Sequence, residues 1–144
     1  MLKKRIHILS GLAIVFSFVA CSKSGSGSDN DSNHLFSAND KTPPEVLIFT
    51  PSAGQVFSNG STINMTGRIT DDLGLYRGTI KIVNEATGNT IMLQSYEIHG
   101  LRLYNFNISH PVSVTTSADY TVTVSFEDHG ANAVSKSVLV KVNP

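Results

Sequence analysis

A single cysteine, Cys21, and no tryptophan occur in the 144 residues of this chain. One thiol cannot form an internal disulfide, so a folded domain here must be held by its core alone, unlike many small exported domains. The lack of tryptophan removes the broadest aromatic surface on which a sugar ring could rest. Charge is also sparse: charged residues make up 15% of the chain, with Lys+Arg and Asp+Glu balanced at 11 each. Outside Lys3, Lys4 and Arg5 no basic cluster occurs. That excludes a nucleic-acid partner, whose phosphates demand a basic footprint, and it gives no electrostatic grip on anionic lipid heads. No G-x-S-x-G elbow and no glycine-rich phosphate loop between strand and helix is present. The expectation is a protein that is not an enzyme.

What is present begins with an export signal. Lys3, Lys4 and Arg5 precede an apolar stretch, Ile6 to Ala20, interrupted only by His7, Ser10, Gly11 and Ser17. This stretch is shorter than the ~20 apolar residues of a membrane span and fits a signal-peptide core over residues 1–20. Phe18-Val19-Ala20-Cys21 resembles the lipobox of bacterial lipoproteins, with Phe18 where leucine is usual. The resemblance implies lipid transfer to the Cys21 thiol, cleavage before Cys21, and attachment to a membrane through that lipid. Two or more acyl chains hold a protein stably where one does not. Without residues 1–20, 8 Lys and Arg face 11 Asp and Glu, a net charge of −3. Residues 21–40 then read as a lipidated flexible tether. They are mostly Ser, Gly, Asn and Asp, too polar to bury a core, and 19 such residues reach roughly 24 Å as a coil.

From Lys41 to Pro144 the pattern is that of strands. Val46-Leu47-Ile48-Phe49 is a short apolar run closed by Pro51-Ser52-Ala53-Gly54, a turn sequence. Ile63, Met65, Gly67 and Ile69 alternate with polar residues, as do Tyr76, Gly78, Ile80 and Ile82. This period of two marks strands with one buried face. Ile91, Leu93 and Ser95 form a weaker strand suited to an edge. Leu101 and Leu103 lie in one phase and Tyr104, Phe106 and Ile108 in the other, which requires either a bulge or a strand that starts near Arg102. Tyr120, Val122, Val124 and Phe126 form the clearest strand, and Val134, Val138, Val140 and Val142 the last. Seven short strands at regular spacing, with no helical period, predict an all-β fold: one seven-stranded immunoglobulin-like β-sandwich over residues 41–144.

Pro43-Pro44-Glu45-Val46 leading to Thr50-Pro51-Ser52-Ala53-Gly54, then Asp71-Asp72-Leu73-Gly74-Leu75, then Asp119-Tyr120-Thr121-Val122 and Glu127-Asp128-His129-Gly130-Ala131-Asn132 form an ordered set. It resembles bacterial immunoglobulin-like and cadherin-like domains, and taken together is similar to the DUF4625 family of Bacteroidetes lipoproteins. The resemblance covers residues 40–144. Ala131, inserted between Gly130 and Asn132, departs from the family pattern. The resemblance implies a fold and an outer-membrane lipoprotein of the cell envelope, on either side of that membrane. It implies no activity. An outer-membrane receptor or another envelope protein is the expected partner.

Topology makes a further prediction. In such a sandwich the loop after the second strand, the loop after the sixth and the start of the first share one end. Asp40, Glu45, Asp71, Asp72, Glu127 and Asp128 should therefore gather at one pole. Clustered carboxylates suit Ca²⁺, which takes 6–8 oxygen ligands, so calcium is a candidate cofactor, though no motif in the chain requires one. Cadherin-like resemblance points the same way. Equally, Asp and Asn at loops are ordinary turn formers, the commoner use of such residues. His99, His110 and His129 are candidates for Zn²⁺ or Cu²⁺, against the plain alternative of scattered surface histidines. A third reading, a carbohydrate-binding module in glycan uptake, would rest on Tyr96 and Phe57, the aromatics expected to be exposed.

Overall fold

The computed structural model describes residues 39–144. The export segment 1–20, Cys21 and the tether up to Ala38 lie outside the described residues. Eight strands follow in order: β1 (Glu45–Thr50), β2 (Val56–Ser58), β3 (Thr62–Thr70), β4 (Leu75–Asn84), β5 (Thr90–Glu97), β6 (Leu103–Pro111), β7 (Ala118–Asp128) and β8 (Ala133–Asn143). They form a three-stranded sheet, β1-β3-β6, and a five-stranded sheet, β2-β8-β7-β4-β5. The fold is an all-β sandwich. Seven strands match the sequence reading. The eighth, β2, is three residues long and runs parallel to the end of β8, pairing Val56 with Lys141 and Ser58 with Asn143. Three residues carry no period, so only this pairing makes them a strand.

Alternation is what builds the core. Along β7, Tyr120, Val122, Val124, Phe126 and Asp128 are buried while the residues between them are not. Its neighbours add Ile80 and Ile82 from β4 and Val140 and Val142 from β8. The facing sheet contributes Val46, Ile63, Met65, Ile69 and Phe106. Each fully buried aliphatic or aromatic side chain contributes roughly 1.5–3 kcal/mol. Two inward-facing glycines make room for the largest of them. A side chain on Gly67 would meet the Phe106 ring and the Leu47 carbonyl, and one on Gly78 would meet the Phe126 ring.

The phase change near Leu101 is settled by β6, which starts at Leu103 and pairs with β3 in unbroken register from Thr70↔Leu103 to Thr62↔Pro111. There is no bulge in that ladder. Leu101 belongs to the preceding loop, where its carbonyl accepts from the Leu75 amide at 2.9 Å.

At β1, an edge strand, Lys136 takes an inward position between Val134 and Val138 of β8. Its ammonium donates to the Val46 carbonyl at 3.0 Å, tying the two sheets together.

Candidate functional site

The connections β3–β4, β5–β6 and β7–β8 and the segment that enters β1 meet at one end of the sandwich. Close backbone approaches fix that end. The Asp71 amide donates to the Arg102 carbonyl at 3.0 Å, and the Gly100 amide to the Leu75 carbonyl at 2.8 Å. Gly74 has φ of 143°, and a side chain there would come within 3.1 Å of the Gly100 backbone. Only glycine accommodates both the dihedral and the approach.

Asp71 is held by its own turn. Its Oδ2 accepts from the amides of Leu73, at 3.1 Å, and Gly74. This is the usual way an aspartate stabilises a tight loop. Its Oδ1, by contrast, is buried and has no hydrogen-bond partner. The side chains of Asp40 and Asp72 lie close by, and one carboxylate oxygen from each of the three residues lies within 4.8 Å of the others. Asp40 and Asp71 are buried at 6% and 9% exposure, while Asp72 is open to solvent. Burial pushes the Asp71 carboxyl above its ordinary value. The two amide hydrogen bonds oppose that rise, and the nearby charges of Asp128 and Asp40 add to it.

Asp128 plays a different part. It is 1% exposed, and both of its oxygens are taken by Asn132: the backbone amide reaches Oδ1 at 2.8 Å and Nδ2 reaches Oδ2 at 2.7 Å. The same Nδ2 donates to the Asp40 carbonyl at 3.1 Å. Asp40 is thereby locked over the β7–β8 turn, where its Oδ1 also accepts from the Thr42 amide at 2.9 Å. Asp128 is the anchor of the pole, with its lone pairs directed at Asn132. The sequence reading had not singled out Asn132 as a site residue. The signal was its position four residues after Asp128, across a turn.

Two of the six predicted acids stand outside the cluster. Glu45 opens β1 opposite Thr70, exposed. Glu127, adjacent to the inward Asp128, faces outward and pairs with Arg77. It borders an open depression of about 490 Å³ on the outer face of the larger sheet, whose lining includes Thr79, Ser95, Ser125 and Ser135.

The histidines divide as well. His99 and His129 come from two loops of the pole, their rings 5.4 Å apart. Tyr76 packs against both, at 4.8 Å from His99 and 4.5 Å from His129, and Arg77 lies 5.0 Å over the Tyr76 ring. His99 Nε2 is 3.3 Å from Glu97. His110 is elsewhere: it pairs with Ile63 near the far end of β6. The three imidazoles therefore do not converge.

Neither aromatic expected to be exposed forms a platform. Phe57 is half-buried against the core. Tyr96 packs at 5.5 Å against Tyr104 and 5.6 Å against Phe126, and burial pushes its hydroxyl up to about 12.

The clustered donors Asp40, Asp71 and Asp72 are all oxygens. Such a set suits Ca²⁺, Mg²⁺ or Mn²⁺, whereas Zn²⁺ and Cu²⁺ favour imidazole or thiolate. A buried carboxylate with one oxygen lacking a donor, clustered with two further carboxylates, fits a hard divalent cation. Compared with protein-family models and with curated proteins, the chain matches none.

Proposed function

We propose that this protein is a non-enzymatic binding module of the cell envelope, anchored by lipid on Cys21, whose acidic pole takes up calcium. The observation that carries the calcium reading is the orphaned, buried Asp71 Oδ1 on a carboxylate that clusters with those of Asp40 and Asp72. A buried polar atom without a partner costs roughly 1–3 kcal/mol, more when charged. A divalent cation removes that cost and the mutual repulsion of the three carboxylates together. Asp40, Asp71 and Asp72 supply the ligand oxygens, and Ca²⁺ tolerates the irregular, partly hydrated geometry that a loop cluster offers better than Mg²⁺ does. Asp128 and Asn132 support the site from behind, as outer-shell groups commonly do for metal ligands.

The strand order supports the wider reading. The first, second and fifth long strands share one sheet and the third, sixth and seventh the other, as in immunoglobulin-type sandwiches, while the fourth, β5, joins the second sheet instead of the first. With the DUF4625-like loop sequences and the lipobox-like Phe18-Val19-Ala20-Cys21, this favours an outer-membrane lipoprotein that works through a partner, such as a receptor in the same membrane.

The test is thermal melting with Ca²⁺, Mg²⁺, Zn²⁺ or chelator. Calcium should raise Tm by several degrees, magnesium less, and zinc should have no effect mapped to His99 or His129. Asp72→Asn, an exposed change that leaves the core intact, should abolish the calcium response. An unchanged Tm at millimolar calcium would refute the metal reading. For the anchor, mass spectrometry of the membrane-extracted protein should find the lipid on Cys21, and Cys21→Ala should release the protein from membranes.

A further inference from the structure

Three carboxylates do not fill the shell of a calcium ion. Asp71 commits Oδ2 to the amides of Leu73 and Gly74 and has Oδ1 to offer. Asp40 commits Oδ1 to the Thr42 amide and has Oδ2 to offer. Asp72, which is exposed, can offer both of its oxygens. Loop carbonyls at this end are already engaged. Those of Leu75, Ile98, Leu101 and Arg102 accept from backbone amides, and that of Asp40 accepts from Asn132. About four oxygens thus serve an ion that takes 6–8, and the remaining positions open to solvent beside Asp72.

The surface around that opening is apolar and cationic. The Asp71 amide donates to the Arg102 carbonyl at 3.0 Å, which sets Leu101-Arg102-Leu103 beside the acids. Leu101 and Leu103 are 48% and 46% exposed, and Arg102 between them is exposed too. Lys41, next to Asp40, is likewise exposed. The chain also enters the sandwich here, since Asp40 belongs to the cluster. Cys21, the residue proposed to bear the lipid, precedes Asp40 by 19 residues, for which the coil estimate is roughly 24 Å. β7, of eleven residues, spans about 34 Å at 3.4 Å per residue. The far end of the sandwich therefore lies farther from Asp40 than the mean reach to the anchor, and the acidic pole is the end held next to the lipid.

We propose that, with calcium bound, this pole docks on the anionic lipid surface that carries the anchor. Head-group phosphate oxygens fill the open positions of the ion, and Leu101 and Leu103 enter the head-group region. Resting on the calcium and the anchor proposed above, this contact names the partner of the same site. Phosphate offers the hard oxygen that calcium takes. Without the ion, the three carboxylates repel a phosphate; with it, repulsion gives way to coordination. The chain outside residues 3–5 has no basic cluster, so the ion supplies the grip, and Lys41 and Arg102 add to it. A soluble phosphate or carboxylate would fill the same positions but would leave both leucines in water. A protein partner would not need the pole to be the end nearest the anchor.

The chain has no tryptophan, so Leu101→Trp introduces a single fluorescent reporter. The full chain, extracted from membranes, is placed in vesicles of phosphatidylcholine and phosphatidylglycerol with brominated acyl chains. Calcium should shift the emission to the blue and quench it, as for a side chain about 5–10 Å into the interface, and chelator should reverse both. Leu103→Trp should respond alike. Val56→Trp, exposed at the opposite end of the sandwich beside Lys141, should not respond. Asp72→Asn added to Leu101→Trp should abolish the response. Melting curves of the same proteins in detergent keep the two readings apart. A Tm raised by calcium with no quenching at 101 or 103 overturns the docking and leaves the calcium site standing, whereas an unchanged Tm overturns both. Quenching without calcium, equal quenching at 56, or the same calcium-dependent shift with glycerol phosphate in detergent instead of vesicles would also overturn the docking.

Discussion

Replacing Asp71 by asparagine separates the cost of the acidic pole from its use. Asparagine keeps the shape of the side chain. Its Oδ1 can accept from Leu73 and Gly74 as the Asp71 Oδ2 does, and its amide then puts donors where the carboxylate held an unpaired oxygen, with no charge beside Asp40 and Asp72. The magnitude follows from the spacing. Two unit charges 4.8 Å apart repel by about 3.5 kcal/mol at an effective dielectric of 20, and by about 0.9 kcal/mol in water. Asp40 and Asp71 are both nearly buried and Asp72 is exposed, so relief of about 1–3 kcal/mol is expected. At about 4–8 °C per kcal/mol for a domain of this size, the variant should melt several degrees above the parent at neutral pH without metal.

The pH dependence has a definite sign. The folded-state pKa of Asp71 is raised above 3.8, chiefly by burial. The folded state therefore holds that proton more tightly than the unfolded chain does. The resulting stability is present below about 3.8 and is lost as pH rises through the folded value. Asp71→Asn should remove this loss, so the two proteins converge in acid and diverge toward neutrality. Calcium should reverse the order, since a ligand at 100 times its Kd adds about 2.7 kcal/mol to the protein that binds it. Paired melting curves from pH 3 to 8, with calcium and with chelator, provide the measurement. A variant that melts below the parent in chelator at pH 7, or that gains as much from calcium as the parent, would refute the reasoning.

Three further outcomes are expected. Asn132→Ala removes the Nδ2 bonds to Asp128 and to the Asp40 carbonyl and leaves a buried carboxylate short of a donor. It should cost about 2–4 kcal/mol in urea denaturation and weaken calcium binding. Ala131 has φ of 62°, a conformation that costs an L-residue about 1–2 kcal/mol, part of which glycine's added chain entropy offsets. Ala131→Gly should raise stability by about 0.5–1 kcal/mol without altering the metal response. Gly67→Ala drives a methyl into the Phe106 ring and the Leu47 carbonyl. It should cost about 1–3 kcal/mol, read as a lower urea midpoint at unchanged slope.

Much of this architecture was legible because period-two alternation reports burial directly. Seven strands were readable that way. β2 was not, since it exists through the Gly54 amide on the Leu139 carbonyl and the Lys141 amide on the Gln55 carbonyl, contacts across more than 80 residues. The pole was readable as a consequence of strand count and direction, and Asp40, Asp71 and Asp72 do meet there. Glu127 failed for a reason already present in the chain: it neighbours Asp128 on β7, so the two must face opposite sides. His110 failed because β6 runs away from the pole, carrying its last residues to the other end. His99 and His129, in loops at the pole, come together, and Tyr76 is drawn in by the register shift between Leu75 and Arg77.

The placement of the violations carries its own argument. Along β3 and β7 polar–apolar alternation and burial agree, and the two interior glycines have packing reasons. At the pole three rules are broken within a few residues of one another. Asp71 has a buried oxygen with no donor, Ala131 holds a positive φ, and Asp40, Asp71 and Asp128 are buried acids. A fold with no disulfide has little stability to spare for such features. Sequences otherwise consistent with their fold tend to break local rules where function requires it. Turn formation needs only the Asp71 Oδ2 and its two amides. It gives no reason for Asp40 to be buried beside a second carboxylate, or for Asn132 to hold it there. A cation gives a reason for both.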